Sequence, residues 1–328
     1  MARSGSRYSL LLAVLLAAPA AAADRLLYLE AQAVGGYSSA KDRPVYYSNP
    51  SPREVMQKPS VGADFIQKLS SGGVEWGTLY FEGRLAYDAE GRRKLEAQVY
   101  NAYVRQKNPE FSYWAGHNRI PVGLESYFDT HAALLQVLSM YGAGFDRDWG
   151  VGASRDFSWG DAALSLTSGT GFPLLINGNF LVSTRVSKGV LNQENYNVGA
   201  YFSGGKVPDV TGYDIDSKAP KPYNVLGLDA TYLWDRLEFR ADLRKGIKLG
   251  ATTYAALGRI GLNLLEENRL KLELQPVFAG LGGAHDYFLA AGAAYAVTAD
   301  LSARAMFEYE RITAEKRVLT QLYYYLRM

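Results

Sequence analysis

The stretch Leu237-Glu238-Phe239-Arg240-Ala241-Asp242-Leu243-Arg244 decides how this chain folds. Its odd positions are apolar and its even positions are all charged. Wound into a helix, the four apolar side chains would scatter to both sides of the cylinder and form no apolar stripe. Extended, successive side chains point to opposite faces, so the four share one face and the charges share the other. Leu270, Leu272 and Leu274 alternate in the same way with Lys271, Glu273 and Gln275. Leu301, Ala303, Ala305, Phe307 and Tyr309 do so against Ser302, Arg304, Met306, Glu308 and Glu310. Leu79, Phe81, Gly83 and Leu85 face away from Tyr80, Glu82 and Arg84.

Working outward, the same reading places sixteen strands near 26–36, 61–69, 74–87, 93–105, 111–119, 148–157, 161–169, 180–188, 195–204, 223–234, 237–246, 252–263, 269–278, 286–297, 300–312 and 317–328. The links at one end of these strands are long: 37–60, 120–147, 170–179, 205–222 and 279–285. At the other end they are mostly tight, as at Ser71–Gly73, Ser158–Gly160, Asp235-Arg236 and Thr298–Ala299, with 189–194 the exception. Long loops on one rim and short turns on the other is the arrangement of outer-membrane barrels. Trp159 and Trp234 beside the turns, and Tyr87 and Tyr254 beside the loops, stand where aromatic girdles meet the lipid boundary. The last strand carries Val318, Leu322, Tyr324, Leu326 and Met328 on one face. That resembles the terminal strand of outer-membrane proteins, with Met328 in place of the usual Phe.

Composition agrees with an all-β chain. There are 24 Tyr, 13 Phe and 5 Trp beside 33 Gly, a mixture that suits strands and turns. Residues 1–23 read as an export signal, with Arg3 and Arg7 before the apolar Leu10–Ala18 and the small residues Ala21-Ala22-Ala23 at its end. Residues 24–328 then form the barrel. The formal charge of +2 comes from the two leader arginines, so the remainder is neutral overall. A neutral chain lacks the broad basic face of a nucleic-acid binder. With no Cys, there is no disulfide framework, thiolate metal site or lipidated cysteine. The three histidines lack metal-ligand spacing, and no Gly-x-Ser-x-Gly elbow or phosphate-binding glycine loop occurs. The chain is therefore expected to be neither an enzyme nor a cofactor binder.

Phe111–Glu125, FSYWAGHNRIPVGLE, resembles a stretch of the phosphate-selective porin O and P family. There a strand ends in Gly and a basic residue and runs into a Pro-x-Gly-Leu-Glu-like turn, here Gly116 to Arg119 and Pro121 to Glu125. The resemblance covers about residues 74–157 and is architectural elsewhere. It implies a sixteen-stranded trimer, passing small and often anionic solutes, with the third loop, 120–147, folded inward. The Lys-rich rows of that family are missing, which argues against phosphate selectivity.

With apolar faces toward lipid, the alternate positions line the lumen. Glu82, Arg84, Arg185, Glu238, Arg240, Asp242, Arg244, Arg259, Lys271 and Arg304 are the expected liners, with Arg119 at a strand end. Within the third loop, His131–Met140 has helical spacing, and Glu125, Asp129 and His131 are expected at a constriction opposite wall arginines. The expected function is passive diffusion of small hydrophilic solutes or ions across the outer membrane of a Gram-negative-type bacterium. Two alternatives stand beside it: a sleeve around a periplasmic or electron-transfer partner, and an exported soluble β-protein.

Overall fold

The computed structural model describes residues 25–49, 51, 53, 54, 57–91 and 94–328. The leader expected over 1–23 lies outside the described residues. Strands β1 (Arg25–Ser38) and β3 (Ser60–Ser71) to β17 (Lys316–Arg327) form a closed wall of sixteen strands, each hydrogen-bonded antiparallel to its sequence neighbours. β1 closes the ring by pairing with β17 along Tyr28–Ser38 and with β3 along Arg25–Gln32. Closure leaves no strand edge with unpaired peptide groups, which a hydrocarbon layer would penalise by several kcal/mol each. One short strand was not legible: β2 (Arg43–Val45) turns back onto the end of β1, pairing Gly36 with Val45.

The barrel is inside-out compared with a soluble protein. Leu228 and Leu243, cross-strand partners on β11 (Asp214–Trp234) and β12 (Leu237–Lys248), are 58% and 53% exposed. Asp229 and Asp242 beside them are buried. The same alternation holds on β17, where Val318, Leu322 and Tyr324 face out while Arg317 and Gln321 face in. An apolar outer band over a polar interior is what a water-filled barrel in lipid requires. Trp76, Tyr113, Trp159, Tyr232 and Trp234 ring the turn end, and Tyr37, Tyr87, Phe180 and Phe278 the loop end, all with exposed rings.

Two expected loops are strands. β10 (Tyr196–Thr211) and β11 run through 205–222 to a two-residue turn at Gly212-Tyr213, so that hairpin stands well above the neighbouring wall. Likewise 279–285 is the tip of the β14 (Leu270–Leu281) and β15 (Ala284–Ala296) hairpin. At 279–285 alternation fades because both faces meet water above the bilayer, whereas at 205–222 the inward face packs on loop residues, Val207 with Ile120 and Val122. In both the backbone pairing continues. The long connections are 39–59, 120–146 and 168–179, all on one rim.

Loop 120–146 folds into the barrel as expected, but without the helix expected over His131–Met140. Only Leu124–Ser126 and Leu138–Tyr141 form single 3-10 turns. Its apolar residues divide between two wall regions. Leu134 and Leu135 pack with Val45, Tyr47, Ala290, Met306 and Leu319. Val137 and Leu138 pack with Ala255, Leu257, Val277 and Phe288. An extended course along the wall buries both pairs, whereas a helix of that length would present one stripe to one place.

Candidate functional site

The lumen is built from the inward faces of the strands and from loop 120–146 laid against one side of them. The Pro121-Val122-Gly123-Leu124-Glu125 turn is its anchor. Gly123 has φ +51, and a Cβ there would run into the carboxylate of Asp242, so no other residue fits. The Leu124 amide donates to Asp242 Oδ2 at 3.2 Å. Glu125 is fully buried and accepts from Arg244 Nη2 at 2.9 Å and from the Ser139 amide at 2.9 Å. Arg244 also donates to the Ala143 carbonyl and to Asp242.

The other expected wall arginines do similar work along the loop. Arg185 stacks over the Tyr127 ring while pairing with Asp229 at 2.7 Å, and the Tyr127 hydroxyl donates to Asp229. Arg240 lies 4.0 Å over Phe128, with Arg259 on the same ring. Arg259 donates to the Gln136 carbonyl at 3.0 Å, and Arg304 to that of Ala132 at 2.8 Å. So Arg185, Arg240, Arg244, Arg259 and Arg304 face inward, as their strand positions required, yet each touches the loop. Below it Glu238 joins Arg240 and Lys271 at 2.5 and 2.8 Å. On the opposite wall Arg84 is held by Gln57, Gln98 and Tyr100.

The three loop residues expected at the constriction have three different fates. Glu125 is buried in the anchor and does not reach open lumen. His131 meets carboxylates, not arginines: Nε2 lies 2.6 Å from Glu30 and Nδ1 3.2 Å from Glu82, on the β1 and β4 (Val74–Tyr87) side. Asp129 alone projects into open space and pairs with Arg119, with Arg147 at 3.8 Å. Burial would raise the Asp129 carboxyl, but Arg119 and Arg147 outweigh it and hold it at about 2.

Because the loop covers the wall from β9 (Phe180–Lys188) to β16 (Leu301–Glu310), open lumen is left on the other side. A cavity of about 370 Å³ lies there, lined by Tyr80, Asn101, Tyr103, Arg105, Asn118, Arg119 and Asp129 among others. Of these, only Arg119 and Asp129 are among the residues expected from the sequence. The signal for Tyr103 and Arg105 was present, since they flank the outward Val104, but their strand pairs with a bulge at Glu82/Gly83 that blurs its register. Above the cavity the rings of Tyr100, His117, Trp149, Phe172 and Tyr213 cluster, and the Tyr213 hydroxyl reaches from the β10–β11 tip to the Val99 amide at 2.6 Å.

Two loop groups respond to pH near neutrality. Burial pushes the Glu125 carboxyl up to about 7, Arg244 opposing and Asp242 adding to the rise. Burial acts to lower His131, but Glu82 and Glu30 outweigh it and raise the imidazole above 6.5. Both values lie above their unfolded ones, so each contribution to docking is complete below the unfolded value. It is lost as pH rises through the folded value. Loop 120–146 is therefore expected to resist protease better at about pH 5 than at about pH 8, after normalising to cleavage of the unfolded chain. Equal or reversed protection would contradict this assignment.

No protein-family model and no curated protein matches this sequence. Solved structures match its fold. OmpF of Salmonella typhi in complex with daunomycin is 12% identical with a TM-score of 0.64, the match covering 92% of this chain and 97% of that one. In-vitro folded OmpT of Vibrio cholerae, in its trimer form, is 10% identical with a TM-score of 0.60 over 92% and 99% of the two chains. A porin refined at 1.8 Å is 9% identical with a TM-score of 0.54 over 92% and 100%. The fold and its charged lumen define a porin-type outer-membrane β-barrel. More particularly, it is a sixteen-stranded barrel in which the third connection on the long-loop rim, 120–146, is folded into the lumen.

Proposed function

We propose that this barrel is a porin, a water-filled channel that lets small hydrophilic solutes or ions diffuse passively across the outer membrane. The observation that carries this reading is the polar cavity left beside the inward loop, inside a wall whose outer face is apolar. Charges of both signs around such a passage filter ions and orient dipolar solutes. Arg119 and Asp129 are the proposed constriction pair. The partly exposed Glu238, Arg240 and Lys271 are proposed to line the passage below the loop. The other wall arginines are proposed to act by holding the loop. A sleeve around a partner protein is disfavoured because loop 120–146 and the 45–47 segment already occupy the interior. The Pro-x-Gly-Leu-Glu turn supports kinship with the phosphate-selective porin O and P family, but the cavity lining has no lysine, so phosphate selectivity is not part of the proposal. The trimer form of the Vibrio cholerae OmpT supports a homotrimer here.

Reconstitution into planar bilayers tests the reading. Stepwise ohmic conductance in potassium chloride is expected, with slower migration on SDS gels after boiling. A folded, heat-modifiable barrel that never conducts would overturn the porin assignment.

A further inference from the structure

The cavity beside the inward loop has a chemistry of its own. Arg119 is paired with Asp129, the single acid of the lining, so their charges cancel. Arg105 lies within salt-bridge distance of no carboxylate among the described residues, and its guanidinium sits 5.3 Å over the ring of Tyr103. Tyr80 meets Tyr103 edge to face at 5.4 Å. Trp114 stands cross-strand from Gly152, where a Cβ would collide with the indole, so the glycine is what lets the ring lie against the wall. Ser154 and its cross-strand partner Ala163 complete that side with small side chains. The result is a slot with apolar ring faces, side-chain amides at Asn101 and Asn118, and one uncompensated cation.

We propose that this slot is a binding site for small organic acids with a flat apolar body, the benzoate class. The carboxylate would pair with Arg105, whose planar fork suits a carboxylate better than a single ammonium would. The ring would stack among Tyr80, Tyr103 and Trp114, an arrangement favoured by the ring quadrupoles. An inorganic anion would use Arg105 alone and leave the ring faces wet. A cation of the same shape would meet the uncompensated Arg105. The inference rests on the porin reading for its transport consequence, while binding itself does not depend on that reading.

The test uses the full-length barrel and two readouts. In detergent, titration with sodium benzoate is expected to quench tryptophan fluorescence saturably, with benzylamine and acetate giving little change. In liposomes, benzoate is expected to enter faster than benzylamine. Arg105→Gln should abolish both preferences, Arg105→Lys should retain part of them, and Trp114→Leu should reduce the advantage of benzoate over acetate. Saturable benzoate binding in a barrel that does not conduct would uphold the site and overturn the porin reading. Conductance with no saturable benzoate binding, or with binding and preference indifferent to Arg105→Gln, would overturn the site and leave the porin reading intact.

Discussion

Glu125→Ala is expected to free the inward loop, raising single-channel conductance several-fold and destabilising the folded barrel. Glu125 is buried against Arg244, which also serves Asp242 and the Ala143 carbonyl. Removing one partner of a buried, hydrogen-bonded pair costs about 3–5 kcal/mol, because the remaining charge stays desolvated. Here Asp242 still neutralises Arg244, so the loss should fall toward the lower end of that range. The Ser139 amide loses its acceptor as well, and with it the hold on the 3-10 turn at Leu138–Tyr141. The double replacement Glu125→Leu with Arg244→Met keeps the volume and removes both charges, and it should recover much of the docking. Single-channel recording with denaturant titration checks both effects. Unchanged conductance and stability in Glu125→Ala would show that the loop is held by its apolar contacts alone.

Leu243→Arg should cost about as much for the opposite reason. Leu243 points outward next to Leu228, on a band that lipid would cover. A charged side chain near the bilayer midplane on this face costs about 2–4 kcal/mol. Urea-dependent folding into phospholipid vesicles should show that loss for Leu243→Arg and almost none for Leu243→Met. If both variants fold with wild-type stability, this face is not in hydrocarbon. The neighbouring arginine, Arg244, is tolerated because it points the other way, toward carboxylates.

The outer wall was readable because its rule is local. A strand that separates lipid from water must alternate with period two, so Leu237 to Arg244 declares both its conformation and its two faces. The reading weakened where that contrast ends. Residues 279–285 looked like a loop because water bathes both faces of a hairpin tip above the membrane, and 205–222 did because its inward face meets other loops and not the lumen. His131–Met140 looked helical because Ala132, Leu135 and Leu138 share a period. In the fold, Leu135 and Leu138 belong to different clusters facing different strands.

The lumen followed another rule. The wall arginines expected to line the lumen pointed inward as their strand positions required, but inward is not the same as open. Arg244 and Arg259 are covered because loop 120–146 chose their side of the barrel, through contacts between residues more than a hundred positions apart. The open side fell to Tyr80, Tyr103 and Arg105, whose strands carry a bulge and a weaker pattern. By itself the sequence determined the strand number and the inside and outside of the well-patterned strands, while the inward third loop was an expectation carried by the resemblance of residues 111–125. Period-two alternation and turn spacing act between near neighbours, so one segment at a time suffices to read them. Only the tertiary structure decided where that loop lies, which arginines it consumes, and which side of the lumen remains for a solute. Those choices depend on which distant charges and apolar surfaces meet when the ring closes.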